Sequence, residues 1–201
     1  MKNWTRIQRM CMTAAGCFVL GIGIGICNFA GLGTDALTVF EAGLQNKIGG
    51  TLGIMNLAVC LVMIVFGYFV DKTMISAVTF AAMIMTSLGI DAVGFVLPGR
   101  LTSIGLGLAV LAAGEILYAL GCAIAIVPGA GYDPYNAFLM GLKKLTGKSY
   151  KVVRWSAEII FIAVGWLLGG IVGIGTVLCT IVTGPLVEQC ARQLRKVLKA
   201  D

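Results

Sequence analysis

The chain has 201 residues, of which 59% are hydrophobic and only 12% charged, with a formal net charge of +6 and no histidine. A soluble domain carries roughly 25% charged residues, so a soluble globular enzyme is excluded, and so is a disordered chain, whose apolar content is far lower. Without histidine, His-ligated metal sites, Ser-His-Asp triads and Cys-His dyads are excluded too, which leaves an all-α polytopic membrane protein.

Lys2, Arg6 and Arg9 precede an apolar run that is longer than the ~7–15 residues of a signal-peptide core. The run therefore reads as an uncleaved first membrane span over 11–29. Ala30-Gly31-Leu32-Gly33-Thr34-Asp35 interrupts it, and an amphipathic helix over 34–47 follows that is too short to cross. Spans over 51–70 and 74–97 complete a first unit, residues 1–100. The second unit, residues 101–201, holds a span over 101–127 and the break Pro128-Gly129-Ala130-Gly131-Tyr132-Asp133. A short helix over 133–145, spans over 149–168 and 172–191 and a basic tail follow. Each of the six spans reaches the roughly 20 mostly apolar residues that a crossing helix needs. Gly-rich residues 169–176 and Gly184-Pro185 read as close packing and a kink.

Six crossings place Lys2, Arg6, Arg9, Lys72, Lys143, Lys144, Lys148, Lys151, Arg192, Arg195, Lys196 and Lys199 on one side. Lys47 and Arg100 are left on the other. By the positive-inside bias both termini are then cytoplasmic. The excess charge is thus topological, and nucleic acid is not an expected partner. The seven cysteines form no ligand spacing and read as small apolar packing residues; no metal and no cofactor are expected.

The chain repeats itself. Shifted by 98 positions, residues 14–88 lie over 112–186 without a gap, and 15 of the 75 pairs are identical. Seven of these are Gly–Gly, among them Gly31/Gly129 and Gly33/Gly131, and one is Asp35/Asp133 in a chain with five aspartates. Three crossings per repeat make the second repeat enter from the opposite face, the inverted-repeat plan of many secondary transporters. The short helices are then re-entrant or interfacial; if they crossed, the repeats would be parallel.

Glycine-interrupted segments at matching positions are the best pointer to a transporter site. The candidate set is Gly31, Gly33, Thr34, Asp35, Gly129, Gly131, Tyr132, Asp133 and Asn136. A helix begins after each break, and its free N–H groups suit an anion or a carboxylate. The aspartates also stand where N-cap residues stand, and one aspartate can both cap a helix and line a cavity. Glu115 within a span, and Arg154 and Glu158 one turn apart, are costly in a bilayer and join the candidates as substrate or proton contacts. A structural ion pair is the alternative. Their repeat mates are Cys17, Asn56 and Cys60, so any site is asymmetric.

In order, the second half shows Gly129–Asp133, Arg154 with Glu158, Gly165-Trp166-Leu167-Leu168-Gly169-Gly170, Gly173-Ile174-Gly175-Thr176 and Gly184-Pro185. This set resembles the YczE/YyaS/YitT group of bacterial integral membrane proteins, closest to its YczE-like branch. Leu32-Gly33-Thr34 matches the group's Leu-Gly-Thr-Ser-Pro segment, but Asp35-Ala36 stands where the group has Ser-Pro. The resemblance covers nearly the whole chain. It implies a multi-pass protein of the bacterial inner membrane, raises Arg154 and Glu158 as site residues, and names no substrate.

The function expected is that of a small secondary transporter or permease, not an enzyme, with a central site between the two breaks. The alternative is a non-transporting membrane subunit or assembly factor. Partners are the lipid bilayer, an unidentified small-molecule or ion substrate and, in one arrangement, a second copy in a homodimer.

Overall fold

The computed structural model describes residues 4–198, so Lys2 and Lys199, both assigned above to the cytoplasmic side, lie outside it. The described residues form eight α-helices and no strand: α1 Arg6–Ala30, α2 Ala36–Ile48, α3 Leu52–Val70, α4 Ala77–Val96, α5 Ile104–Ile126, α6 Pro134–Thr146, α7 Tyr150–Leu167 and α8 Ile174–Val197. A single 3-10 turn, Lys72–Met74, links α3 to α4.

Five helices, α1, α3, α4, α5 and α8, are long and apolar enough to cross a membrane. Helix α7, expected as a further span, falls outside that group because Lys151, Arg154 and Glu158 all lie within its 18 residues. Large apolar side chains such as Val62, Phe95, Ile159 and Ile181 face outward, the surface that hydrocarbon solvates. The Gly184-Pro185 pair does not end α8, which runs through Pro185.

Helices α1 and α5, repeat mates, pack antiparallel at the centre. At one end Thr13 Oγ1 donates to the Ala125 carbonyl (3.0 Å), and at the other Leu101 N–H donates to the Phe29 carbonyl (2.9 Å). Glycines make this approach close. A Cβ on Gly16 would stand 2.8 Å from the Gly121 carbonyl oxygen, and one on Gly23 would stand 2.9 Å from that of Gly114. Those two contacts are the same contact under the 98-residue shift.

Part of the remaining packing repeats as well, although the contact between α3 and α4 has no equivalent between α7 and α8. Helix α4 lies on α1, and its mate α8 lies on α5. The short helices are exchanged: α2 packs on α7, and α6 packs on α3. Gly43 of α2 meets the Gly165 carbonyl of α7, and its mate Gly141 of α6 meets Phe66 of α3. At the foot of α6, Lys144 Nζ bonds Asp71 Oδ2 at 2.7 Å in the turn after α3. Hydrogen bonds from Lys144, and then from the Thr73 hydroxyl and N–H, pull the Asp71 carboxyl down to about 2.

Candidate functional site

The two breaks end in the same local chemistry. Gly31 leaves α1 with φ of 72°, Gly129 follows α5 with φ of 60°, and glycine adopts such angles without a Cβ penalty. Asp35 then caps α2: Thr38 N–H donates to Asp35 Oδ2 (3.3 Å) and the Thr38 hydroxyl donates to Oδ1 (2.6 Å). Asp133 caps α6 likewise, with Asn136 N–H donating to Oδ2 (3.2 Å) and Asn136 Nδ2 to Oδ1 (2.6 Å). Positions 38 and 136 are repeat mates, so a hydroxyl and an amide perform one task in the two halves. These caps alter the expectation of an anion at the helix N-termini. The donors are held by Asp35 and Asp133, and an incoming anion would face a carboxylate.

Both aspartates line one central cavity of about 350 Å³, together with Asn136, Arg154 and Glu158. Arg154 Nε donates to Glu158 Oε1 at 2.8 Å, so the guanidinium is paired with a carboxylate on its own helix. The Tyr150 hydroxyl donates to Asn136 Oδ1 at 2.7 Å. Tyr118, Tyr135 and Tyr150 give the wall aromatic surface. Three carboxyl groups against one guanidinium make this lining favour positive charge.

The remaining candidates stand elsewhere. Glu115 is buried behind the wall, its Oε2 accepting from the hydroxyl of Thr183 (2.7 Å), which does line the cavity. Cys27 Sγ approaches its other oxygen at 3.8 Å. Gly31, Gly33 and Thr34 border a separate small void beside Arg100. Gly131 packs against Ser76 and Val78, and Tyr132 is exposed, with its carbonyl accepting from Thr79 Oγ1 at 2.8 Å. The glycines and Thr34 thus shape the breaks, and the aspartates face the cavity.

Two acids escaped the sequence reading. Glu41, in the middle of α2, is 0% exposed and accepts from Asn56 Nδ2 at 2.8 Å. Asp91, in α4, accepts from Thr51 Oγ1 (2.7 Å) and from Gly53 N–H (2.8 Å), which ties the start of α3 to α4. The signal available for both was an acid among apolar neighbours in a chain with only nine acidic residues.

A second, wider cavity of about 680 Å³ is lined by Gln45, Asn46, Thr51, Asp91 and Arg100. An apolar cluster separates it from the first. Ile24, Ala42, Leu52 and Ile90 form the cluster, with Leu20 and Tyr118 packed against it. Leu20, Ile24 and Tyr118 face the central cavity, while Leu52 and Ile90 face the wider one. All seven cysteines are free, and no group of three or more potential metal ligands is assembled among the described residues.

Residues 7–192 match a family described as a family of unknown function (DUF6198). An uncharacterized protein of Haemophilus influenzae is 30% identical over 171 residues, covering 85% of this chain and 77% of that protein. The uncharacterized membrane protein YczE of Bacillus subtilis is 25% identical, covering 85% of this chain and 79% of its own. The uncharacterized protein YyaS of the same organism is 24% identical, covering 86% and 87%. No solved structure matches. The chain belongs to the DUF6198 family, within the YczE-like group, and is a membrane protein.

Proposed function

We propose that this DUF6198 member is a small permease of the bacterial inner membrane, and that its central cavity binds a solute carrying positive charge. The observation that carries the reading is the cavity itself: about 350 Å³ of space within an apolar helical bundle, lined by Asp35, Asp133 and the Arg154–Glu158 pair. Ionisable side chains inside a membrane bundle are costly and mark substrate or ion pathways. Capping leaves each aspartate free lone pairs, and aromatic faces favour cations further.

The architecture proposed is six crossings in two inverted repeats, with both termini cytoplasmic and α2 and α6 re-entrant. The antiparallel course of the repeat mates α1 and α5 supports it, as does the exchange of α2 and α6 between halves. Helix α7 supplies the sixth crossing, with Arg154 and Glu158 turned to the cavity instead of lipid. The apolar cluster around Ile24 and Ile90 is the closed gate between this site and the wider vestibule. No catalysis is assigned to the chain.

The test uses the purified chain in proteoliposomes and a panel of small solutes sorted by charge: amines and quaternary ammonium ions, carboxylates, and neutral polyols. Cations are expected to raise the unfolding temperature and to exchange across the bilayer. Asp35→Asn combined with Asp133→Asn is expected to abolish both effects. A panel in which only carboxylates bind, or none of the solutes does, overturns the reading. Single cysteines at positions 47 and 148 of a cysteine-free chain test the topology in cells. An impermeant maleimide is expected to label position 47 and to spare position 148; labelling of both means parallel repeats.

A further inference from the structure

We infer that Glu41 is a proton-binding site that exchanges its proton with the central cavity past Asn56. Glu41 sits on α2, which packs on α3 and α7, and it is 0% exposed. Its Oε1 accepts from Asn56 Nδ2 at 2.8 Å, while Oε2 is buried and has no hydrogen-bond partner. None of the ion pairs among the described residues includes Glu41. Asp35, at the N-cap of its own helix, has the same sign, and Cys60 of α3 is the titratable neighbour opposite. On α7 Arg154 pairs with Glu158 and not with Glu41, and α4 offers the neutral Ser87.

A bare carboxylate in these surroundings lacks any compensation for its lost hydration, and such a group takes up a proton instead. The proton belongs on Oε2, the oxygen that no donor serves. Oε1 then remains the carbonyl acceptor for Asn56.

The route out is short. Asn56 holds Glu41 with its amide nitrogen, takes the Ser87 hydroxyl on its oxygen at 3.0 Å, and borders the central cavity. When this one side chain turns, cavity water reaches Oε2–H. The O–H bond breaks, water leaves as hydronium, and the electron pair stays on the carboxylate. A cation lodged at Asp35 and Asp133 favours that state, so solute entry and proton release are coupled as exchange; this step rests on the permease reading above. The device belongs to one half only, since the mates of Glu41 and Asn56 are Leu139 and Arg154.

Infrared spectroscopy of the full chain in lipid nanodiscs tests the site without any substrate. Expected at neutral pH is a protonated-carboxyl stretch above the amide I band. It should be lost in Glu41→Gln, which keeps an acceptor for Asn56, and kept in Glu115→Gln. In D2O the band is expected to shift, and more slowly in Asn56→Leu. An unchanged spectrum in Glu41→Gln overturns the proposal. So does a Glu41 band that never shifts in D2O, which would mark a sealed structural acid. An exchange rate that Asn56→Leu leaves untouched overturns the route. If the band behaves as expected while a bound cation leaves it unaltered, the proton site stands and its coupling to solute entry falls; if no cation binds at all, the proton site stands and the permease reading falls.

Discussion

Arg154 and Glu158 join side chains at 2.8 Å on the cavity wall, and their repeat mates Asn56 and Cys60 meet at 3.9 Å on the same cavity. The two contacts are one helical interaction written with different chemistry. The second half holds a charged pair where the first holds an amide and a thiol. The cavity lining thus carries different charge at matched positions of the two halves.

That pair is coupled, so the cost of removing it is not additive. Glu158→Gln and Arg154→Gln are each expected to lower the unfolding midpoint in detergent, because each leaves a lone charge on the wall. The double variant is expected to lose less than the sum, with a coupling of about 0.5–3 kcal/mol. Additive losses would show that the two residues act separately.

The α1–α5 contact depends on missing side chains. A Cβ on Gly121 would run into the backbone nitrogen of Leu20, and one on Gly23 would run into that of Tyr118. Alanine at either position is expected to cost about 1–3 kcal/mol, the range for overpacking. Gly105 of α5 has nothing within 4 Å of a built Cβ, so Gly105→Ala is expected to be neutral or slightly stabilising. Thermal unfolding of the three variants decides it; equal losses at all three positions would refute the packing account.

The partition between the cavities can be opened. In a chain whose sole cysteine is Cys122, on the central cavity, a charged impermeant thiol reagent added from the Lys47 side is expected to leave Cys122 unmodified. Ile90→Ala, or Ile24→Ala with Ile90→Ala, is expected to admit the reagent. Unchanged protection in both variants would place the barrier elsewhere.

The Lys144–Asp71 contact carries a pH signature. Asp71 titrates near 3.8 when free and near 2 in the fold, with Lys144 as the first cause. A depressed carboxyl contributes stability above its free value and loses it as pH falls through the folded value. The stability difference between the wild type and Asp71→Asn is therefore expected to be flat around neutral pH and to shrink as pH falls from about 4 to about 2. The pair is exposed, so added salt is expected to shrink the difference as well. A difference that persists at pH 2 would contradict the assignment.

The breaks were legible because their signals are local. Glycines, a capping aspartate and the start of an amphipathic run sit within a few residues, and the expected helices over 34–47 and 133–145 appear as Ala36–Ile48 and Pro134–Thr146. The interruption therefore did not need the rest of the chain to be recognised. Which side of each break meets the cavity did need it: Asp35 lines it while Thr34, one residue earlier, faces away. Glu41 was hidden for the same reason, since its burial comes from α3 and α7 closing over α2. Asp91 sits in a span, but its partners Thr51 and Gly53 lie about 40 residues away and appear only with the α3–α4 contact.

The exchange of the short helices also sets an order on how the molecule can be made. Helix α2 begins at Ala36 and α7, its partner from the second half, begins at Tyr150, 114 residues later. At about 5–20 residues per second, the ribosome delivers that partner roughly 6–23 s after α2. Through that interval Asp35 and Glu41 wait without their final surroundings. The amino-terminal half is then a half-built object and not a domain until α7 arrives.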